Sequence, residues 1–412
     1  MDRDLQFTPA VIENGKVMAL AASPGRLFGP SITITSSPNM ASIPNLNSLR
    51  TTRRGPRLRG GRGGRAVPEN DNGYDNEEAA SQARDKTVQQ TDNDASSSRL
   101  SAVSLGYLND EFAKELSGQD APPPKRYPII NRGTYVRTTA IDALVNSFLR
   151  SEPTQRKQII SLGAGSDTRF FRSHSQQSLA SGDVSPMTYH ELDFESNVQQ
   201  KRSMVYSSPV FTSALRAAEK HGSTYHLHAL DLRDLTAKSP PIIPHLDPTL
   251  ATLILSECCL CYLAPELATS VLQYFNLNLA TSPLAIILYE PIRPYDPFGR
   301  TMVTNLSSRG IHLQTLKRYS SLDAQRQRMQ MAGFGDGQGA RDVQQLYQSR
   351  QWVSAAERER VERLEWLDEV EEWHLLASHY CVAWGWRGVI FRSAWLGFDG
   401  GRTESERADD VT

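Results

Sequence analysis

Only four cysteines occur in the 412 residues, Cys258, Cys259, Cys261 and Cys381. Three of them crowd one apolar segment, which excludes a disulfide framework and fits a reducing compartment. They also lack a second ligand pair nearby, so buried thiols are a better reading than a metal cluster, and no metal is expected. No apolar run approaches the roughly 18 residues of a membrane span. The N-terminus opens with Asp2 and Asp4 and lacks the charge and apolar layout of a secretory signal. These absences point to a soluble protein without membrane contact, cytoplasmic and with the nucleus as a further option. Net charge is nearly absent as well: 45 basic residues face 46 acidic ones, so nothing global directs the chain to nucleic acid or an anionic surface.

What is there divides unevenly. Residues 1–97 are rich in Ser, Asn, Pro, Gly and Arg, show neither helical nor strand periodicity, and are expected to be a disordered tail. Acidic residues are missing from 15–68, a stretch that ends in TTRRGPRLRGGRGGR. Such a run suits a solvated tail, with weak RNA contact as its functional alternative. Residues 69–94 turn acidic and polar and read as a linker. The ordered domain is expected over 98–397, followed by a disordered acidic tail over 398–412.

The domain is organised around QIISLGAGSDTRFFR, residues 158–172. An apolar run (Ile159, Ile160, Leu162) feeds into Gly163 and Gly165, the pattern of a buried strand closing in a turn where the backbone approaches a ligand. A dinucleotide fingerprint would place a third glycine where the chain has Thr168, which argues against a pyrophosphate ligand. Before this strand, Ile141, Leu144, Val145, Phe148 and Leu149 fall at helical spacing, with Arg132 and Arg137 just ahead of them. A second strand, TYHELDF, ends in acids, and Asp193 or Glu191 is the candidate for a ribose diol, since a carboxylate accepts two hydroxyl hydrogen bonds. A helix is expected over 197–220, closed by Gly222. The third strand runs into Asp231 and Leu232, placed to meet an adenine amino group and ring nitrogen. The fourth, TLATLILSECCLCYL, is apolar throughout except for Glu257, whose carboxylate must face a ligand or meet a cation. A fifth strand, PLAIILYE, precedes helical stretches over 298–309, 322–332 and 355–380. A closing apolar segment over 381–395 should supply late antiparallel strands.

Five apolar strands alternating with amphipathic helices describe an α/β fold with a doubly wound, mostly parallel sheet, whose ligand sits beyond the strand C-terminal ends. Gly163 and Gly165, Asp193, Asp231 and Glu257 all fall at such ends. That pattern suits a nucleoside with a short charged arm, and S-adenosylmethionine is that molecule.

The strings AVSLGY, INRGTYVR, LGAGSDTRFFR, ELDF, LDLRDL, LSECCLCYL, FGRTMVTNL, RLEWLDEVEEW and HYCVAWG resemble, in the same order, the leucine carboxyl methyltransferase family. The resemblance spans about residues 99–386. It implies a Rossmann-like methyltransferase that uses S-adenosylmethionine to esterify the C-terminal leucine of the type 2A protein phosphatase catalytic subunit and so regulates the phosphatase. By the same resemblance, Arg137 holds the methionyl carboxylate with Arg99 close by, at a position where relatives carry lysine. Gly163 lies against the methionyl arm, Asp193 takes the ribose, Asp231 and Leu232 the adenine, and Glu257 the methionyl end. Arg137 is thereby the one catalytic candidate, acting on the cofactor.

The chemistry stands without the family. A leucine α-carboxyl has a pKa of roughly 3.5, so it is already a nucleophile at neutral pH and needs no general base. Placement in a dry pocket then supplies the catalysis. Three alternatives remain: a tRNA carboxyl methyltransferase of the wybutosine pathway, whose long C-terminal repeat domain has no counterpart here; a non-catalytic phosphatase-binding scaffold; and a dinucleotide oxidoreductase. A monomer is expected.

Overall fold

The computed structural model describes residues 73–117, 125–175, 185–368 and 370–398. The Arg and Gly run, most of the polar loop after His174 and nearly all of the expected acidic tail lie outside them. Seven strands form one sheet: β1 (Lys157–Leu162), β2 (Met187–Asp193), β3 (Thr224–Ala229), β4 (Thr252–Glu257), β5 (Leu284–Pro291), β6 (Gly337–Asp342) and β7 (Tyr380–Arg387). Their order is β3-β2-β1-β4-β5-β7-β6. Strands β1 to β5 run parallel, and β7 is inserted antiparallel between β5 and β6.

Strand residues alternate between two apolar faces, as a sheet covered on both sides requires. Ile159, Leu253, Leu255, Ala285 and Ile287 face one core, which includes Ile141, Leu144 and Phe148 of helix α3 (Pro128–Arg150). Ile160, Leu162, Ile254, Ile286 and Leu288 face the other, with Val271, Leu272 and Phe275 of the helix Pro265–Asn278. Each fully buried side chain of this kind contributes roughly 1.5–3 kcal/mol. Helix α3 starts on Pro128, where its missing N–H costs nothing. At its other end the buried Lys157 ammonium donates to the carbonyls of Phe148 (2.6 Å), Leu149 (3.0 Å) and Ser151. That cation satisfies orphan carbonyls and the negative end of the helix dipole together.

Several expectations are corrected. Helix α1 spans Gly73–Ser104 and so begins well before the expected start of order, within the segment read as tail and linker. It is polar all round, so no apolar stripe announces it; its partners are charged groups on the body of the protein. The 197–220 helix is two, Glu195–Ser207 and Pro209–Lys220, because Pro209 cannot continue the first and Ser208 caps the second. The 355–380 stretch is likewise Ala355–Glu362 and Val370–Ser378. The 381–395 segment is one strand followed by a helix, Val389–Trp395. Its partner β6, GQGARD, does not read as a strand at all. Gly337 and Gly339 lie under the indoles of Trp386 and Trp384, where a Cβ would come within 2.1 and 2.2 Å of the rings. Glycine is there to make room. Among the described residues, no helix is long and apolar enough to cross a membrane.

His174, His190 and His228 are buried or half-buried rings whose protonation is disfavoured. Burial, opposed by the Phe170 carbonyl, lowers His174 to about 4. Burial and the neighbouring rings His228, His226 and His245 lower His190 to about 3, and burial with His226 and His245 lowers His228 to about 4. The unfolded chain binds protons near pH 6.5 that the folded protein refuses, so stability is full above that pH and falls as pH drops from 6.5 toward 4. Urea midpoints should therefore decrease between pH 7 and pH 5. His190→Gln should flatten that dependence; an unchanged slope would exclude the ring as its source.

Candidate active site

A cavity of about 760 Å³ opens above the C-terminal ends of β1, β2, β4 and β5. Its floor is the turn after β1, where Gly163 and Gly165 adopt φ of +59° and +46°, a region that disfavours side chains. A Cβ on Gly163 would stand 2.6 Å from Cys259 Sγ, and one on Gly165 2.3 Å from Asp92 Oδ1. The backbone is left bare toward the cavity.

Asp193 ends β2 and faces this turn. Its Oδ2 accepts from the Gly165 amide at 2.7 Å, and its Oδ1 from the Phe194 amide and the Asn197 side chain. Burial raises its pKa, with those donors opposing. Glu191, the alternative, is buried against Lys201 Nζ at 2.5 Å, and burial outweighs that cation to push its pKa up to about 7. It does not line the cavity, and the choice between the two acids falls on Asp193. Asp231 and Leu232 line the same wall. The Asp231 carboxylate caps a short 3-10 turn through the Arg233 amide and is gripped by the Arg233 guanidinium.

Glu257 closes β4 between two arginines. Its Oε2 accepts from Arg137 Nε at 2.7 Å, and its Oε1 lies 3.0 Å from Arg169 Nη2. Burial alone would lower the Arg137 pKa, but Glu257, Cys258 and Tyr289 outweigh it and raise it. The Arg137 guanidinium also lies over the Tyr289 ring, 4.6 Å from its centroid. From Arg169 the charges continue to Asp167 and Asp142 at 2.6 and 2.7 Å. Arg172 pairs with Asp142 at 2.5 Å and approaches Asp110, which binds Arg99 Nε at 2.5 Å. Burial pushes the Asp142 carboxyl up, yet Arg172 and Arg169 together hold it well below the usual carboxylate range. The sequence reading singled out Arg99, Arg137 and Glu257 but missed Asp110, Asp142, Arg169 and Arg172, the groups that connect them. Arg169 and Arg172 sit inside the glycine-turn stretch itself, as does Asp167; their other acidic partners, Asp110, Asp142 and Glu257, lie in other elements, and no local pattern marks them.

Helix α1 covers the cavity. Asp85 pairs with Arg233 at 2.7 Å, Asp92 accepts from the Ser166 amide and hydroxyl at 2.8 Å, and Asp94 pairs with Arg309 at 2.6 Å. Opposite the Asp193 and Asp231 end, the lining turns apolar and aromatic: Val343, Trp373, Leu376, Ala377 and Tyr380.

The donor set fits S-adenosylmethionine. Bare glycine backbone and a strand-end carboxylate are what a nucleoside with a ribose diol requires. Arg99 and Arg137 both line the cavity, and the buried Arg99 Nη2 has no hydrogen-bond partner among the described residues. Two guanidinium groups there match an amino-acid carboxylate.

Arg169 is only 4% exposed and bridges three carboxylates. Removing one partner of buried pairs leaves uncompensated charge, so Arg169→Met should cost about 3–5 kcal/mol in urea unfolding. A loss under about 1 kcal/mol would show these pairs to be no stronger than surface ones.

A profile of the family described as "Leucine carboxyl methyltransferase" matches residues 76–276. The chain is 50% identical over 382 residues to "Leucine carboxyl methyltransferase 1" of Aspergillus fumigatus, covering 84% of this chain and 94% of that one. It is 48% identical to the protein of the same name from Emericella nidulans (88% and 98% covered), and 41% identical to that from Yarrowia lipolytica (73% and 97%). The fold, the cavity and these relatives agree on an enzyme that transfers a methyl group from S-adenosylmethionine to a carboxylate, and the chain belongs to the leucine carboxyl methyltransferase family.

Proposed function

We propose that the protein esterifies the C-terminal leucine α-carboxylate of the type 2A protein phosphatase catalytic subunit. The observation that carries this reading is the chemical asymmetry of the cavity. One end offers Asp193, Asp231 and bare glycine backbone to a nucleoside; the other offers Val343, Trp373, Leu376, Ala377 and Tyr380, an apolar wall suited to a leucine side chain. Arg137 and Glu257 stand between the two ends, where a methionyl arm would meet the acceptor.

When bound, S-adenosylmethionine supplies an electrophilic methyl on sulfonium, open to in-line displacement. The protein's part is placement and exclusion of water. Arg137 is fixed by Glu257 and by the Tyr289 ring, so its remaining donors are aimed without reorganisation at the cofactor carboxylate. Glu257 also keeps that guanidinium off the acceptor, where a clamped cation would blunt the nucleophile. Among the described residues, α1 and the aromatic wall shield the reacting centre, which favours a step that neutralises opposite charges. Proximity of this kind can contribute about 7–11 kcal/mol. Esterification removes the negative charge of the subunit's terminus, which is how it would regulate phosphatase assembly.

The test incubates the protein with methyl-labelled S-adenosylmethionine and the catalytic subunit, intact or lacking its terminal leucine. Label should appear on the intact subunit only and be released by mild alkali; equal label on both would reject the leucine carboxylate as acceptor. Arg137→Ala should weaken cofactor binding at least about tenfold, the loss expected of a charge-assisted hydrogen bond. Methylation abolished with unchanged cofactor affinity would move Arg137 to the acceptor.

A further inference from the structure

Arg132 is 7% exposed in α3, yet among the described residues its side chain forms no hydrogen bond or ion pair. Its guanidinium lies between two rings, with its central carbon 5.2 Å from the Tyr347 centroid and 5.6 Å from that of Trp373. Its buried Nε has no partner. A buried donor without an acceptor is costly and calls for a partner that the described residues do not supply. Arg132 lines a second cavity, of about 420 Å³, separate from the active-site cavity and sharing Trp373 as a wall with it. Arg358 faces the same Tyr347 ring at 5.6 Å and also leaves its buried Nε unpartnered.

The two acids in this cavity are already engaged by neutral donors. Glu362 accepts from the Tyr347 hydroxyl at 3.2 Å, and Glu365 from the Asn131 side chain at 2.8 Å. Trp366 stands 86% exposed at the rim, beside the 41% exposed Val370. An exposed tryptophan next to a buried arginine has the make-up of an interface anchor.

We propose that this cavity is a docking site for an acidic side chain of the acceptor polypeptide, just upstream of the terminal carboxylate that enters the active site. The inference rests on the reading of the acceptor as a polypeptide C-terminus. Trp373 sets the direction: a chain whose end lies against one side of the indole leads over it into the second cavity. The carboxylate pairs with Arg132 and Arg358, and a neighbouring apolar side chain covers Trp366. Glu362 and Glu365 favour a single negative charge over a phosphate dianion.

The experiment measures kinetics and cofactor-free binding of the phosphatase catalytic subunit, native and with the acidic residues of its last ten or so positions changed to amides. Arg132→Leu should raise KM and the binding Kd about tenfold or more, with kcat and cofactor affinity unchanged. The amide subunit should show the same loss in the wild-type enzyme and no further loss in the variant. An unchanged KM and Kd, or an equal rise for both forms of the subunit, overturns the docking site. Where Arg132→Leu does not fold, Arg358→Gln at the open side of the cavity reads the same coupling, with the same two outcomes. Absence of methyl transfer by the wild type, with binding still dependent on Arg132 and on the acids, rejects the proposed reaction and keeps the docking site. Normal methyl transfer without that dependence does the reverse.

Discussion

Glu257 cannot be at the end of a buried strand without cations, and it has two. The carboxylate joins Arg137 of α3 to Arg169 of helix α4 (Arg169–Ser173), and so ties the helix before β1 to the helix after it across the tip of β4. Everything reactive is arranged around that bridge. Arg137 is aimed because Glu257 and Tyr289 hold it; Arg169 is aimed because Asp142 and Asp167 hold it. An Arg to Lys change at either position would lose the fork that spans two partners, whatever charge it kept.

The same logic explains why helix α1 can be so polar. Its last turn buries Leu100 and Ala102 in the core, and the rest is placed by carboxylates meeting fixed donors: Asp85 on Arg233, Asp92 on the Ser166 amide, Asp94 on Arg309. Half-exposed pairs of this kind contribute modestly one by one. The cover is held by several such contacts between charged and polar groups, whereas the floor beneath it is built of Gly163, Gly165 and the apolar β1 to β4 core.

Strand positions of the site were legible because strand periodicity and strand ends are local. Asp193 and Glu257 could be found from an apolar run that stops in an acid, and Gly163 and Gly165 from the turn that follows one. Helix α1 was not, since a helix without an apolar stripe has no periodic signature, and β6 was not, since Gly337 and Gly339 are chosen by the indoles of Trp386 and Trp384 rather than by strand preference. Glu191 and Asp193, two residues apart on one strand, show the limit most directly. Both are acids near a strand end, and only the packing of Lys201 separates a buried structural pair from a cavity carboxylate.

By itself the sequence determined the doubly wound sheet, the strand ends at which a nucleoside would bind, and the family to which the motifs belong, because each is written in spacing along the chain. The tertiary structure decided which charges meet. The bridge from Arg137 through Glu257 to Arg169, the cover formed by α1, and the seat of Arg132 between Tyr347 and Trp373 all join residues far apart in sequence. Their energies depend on burial and on distances of a few ångströms, which only the folded chain sets.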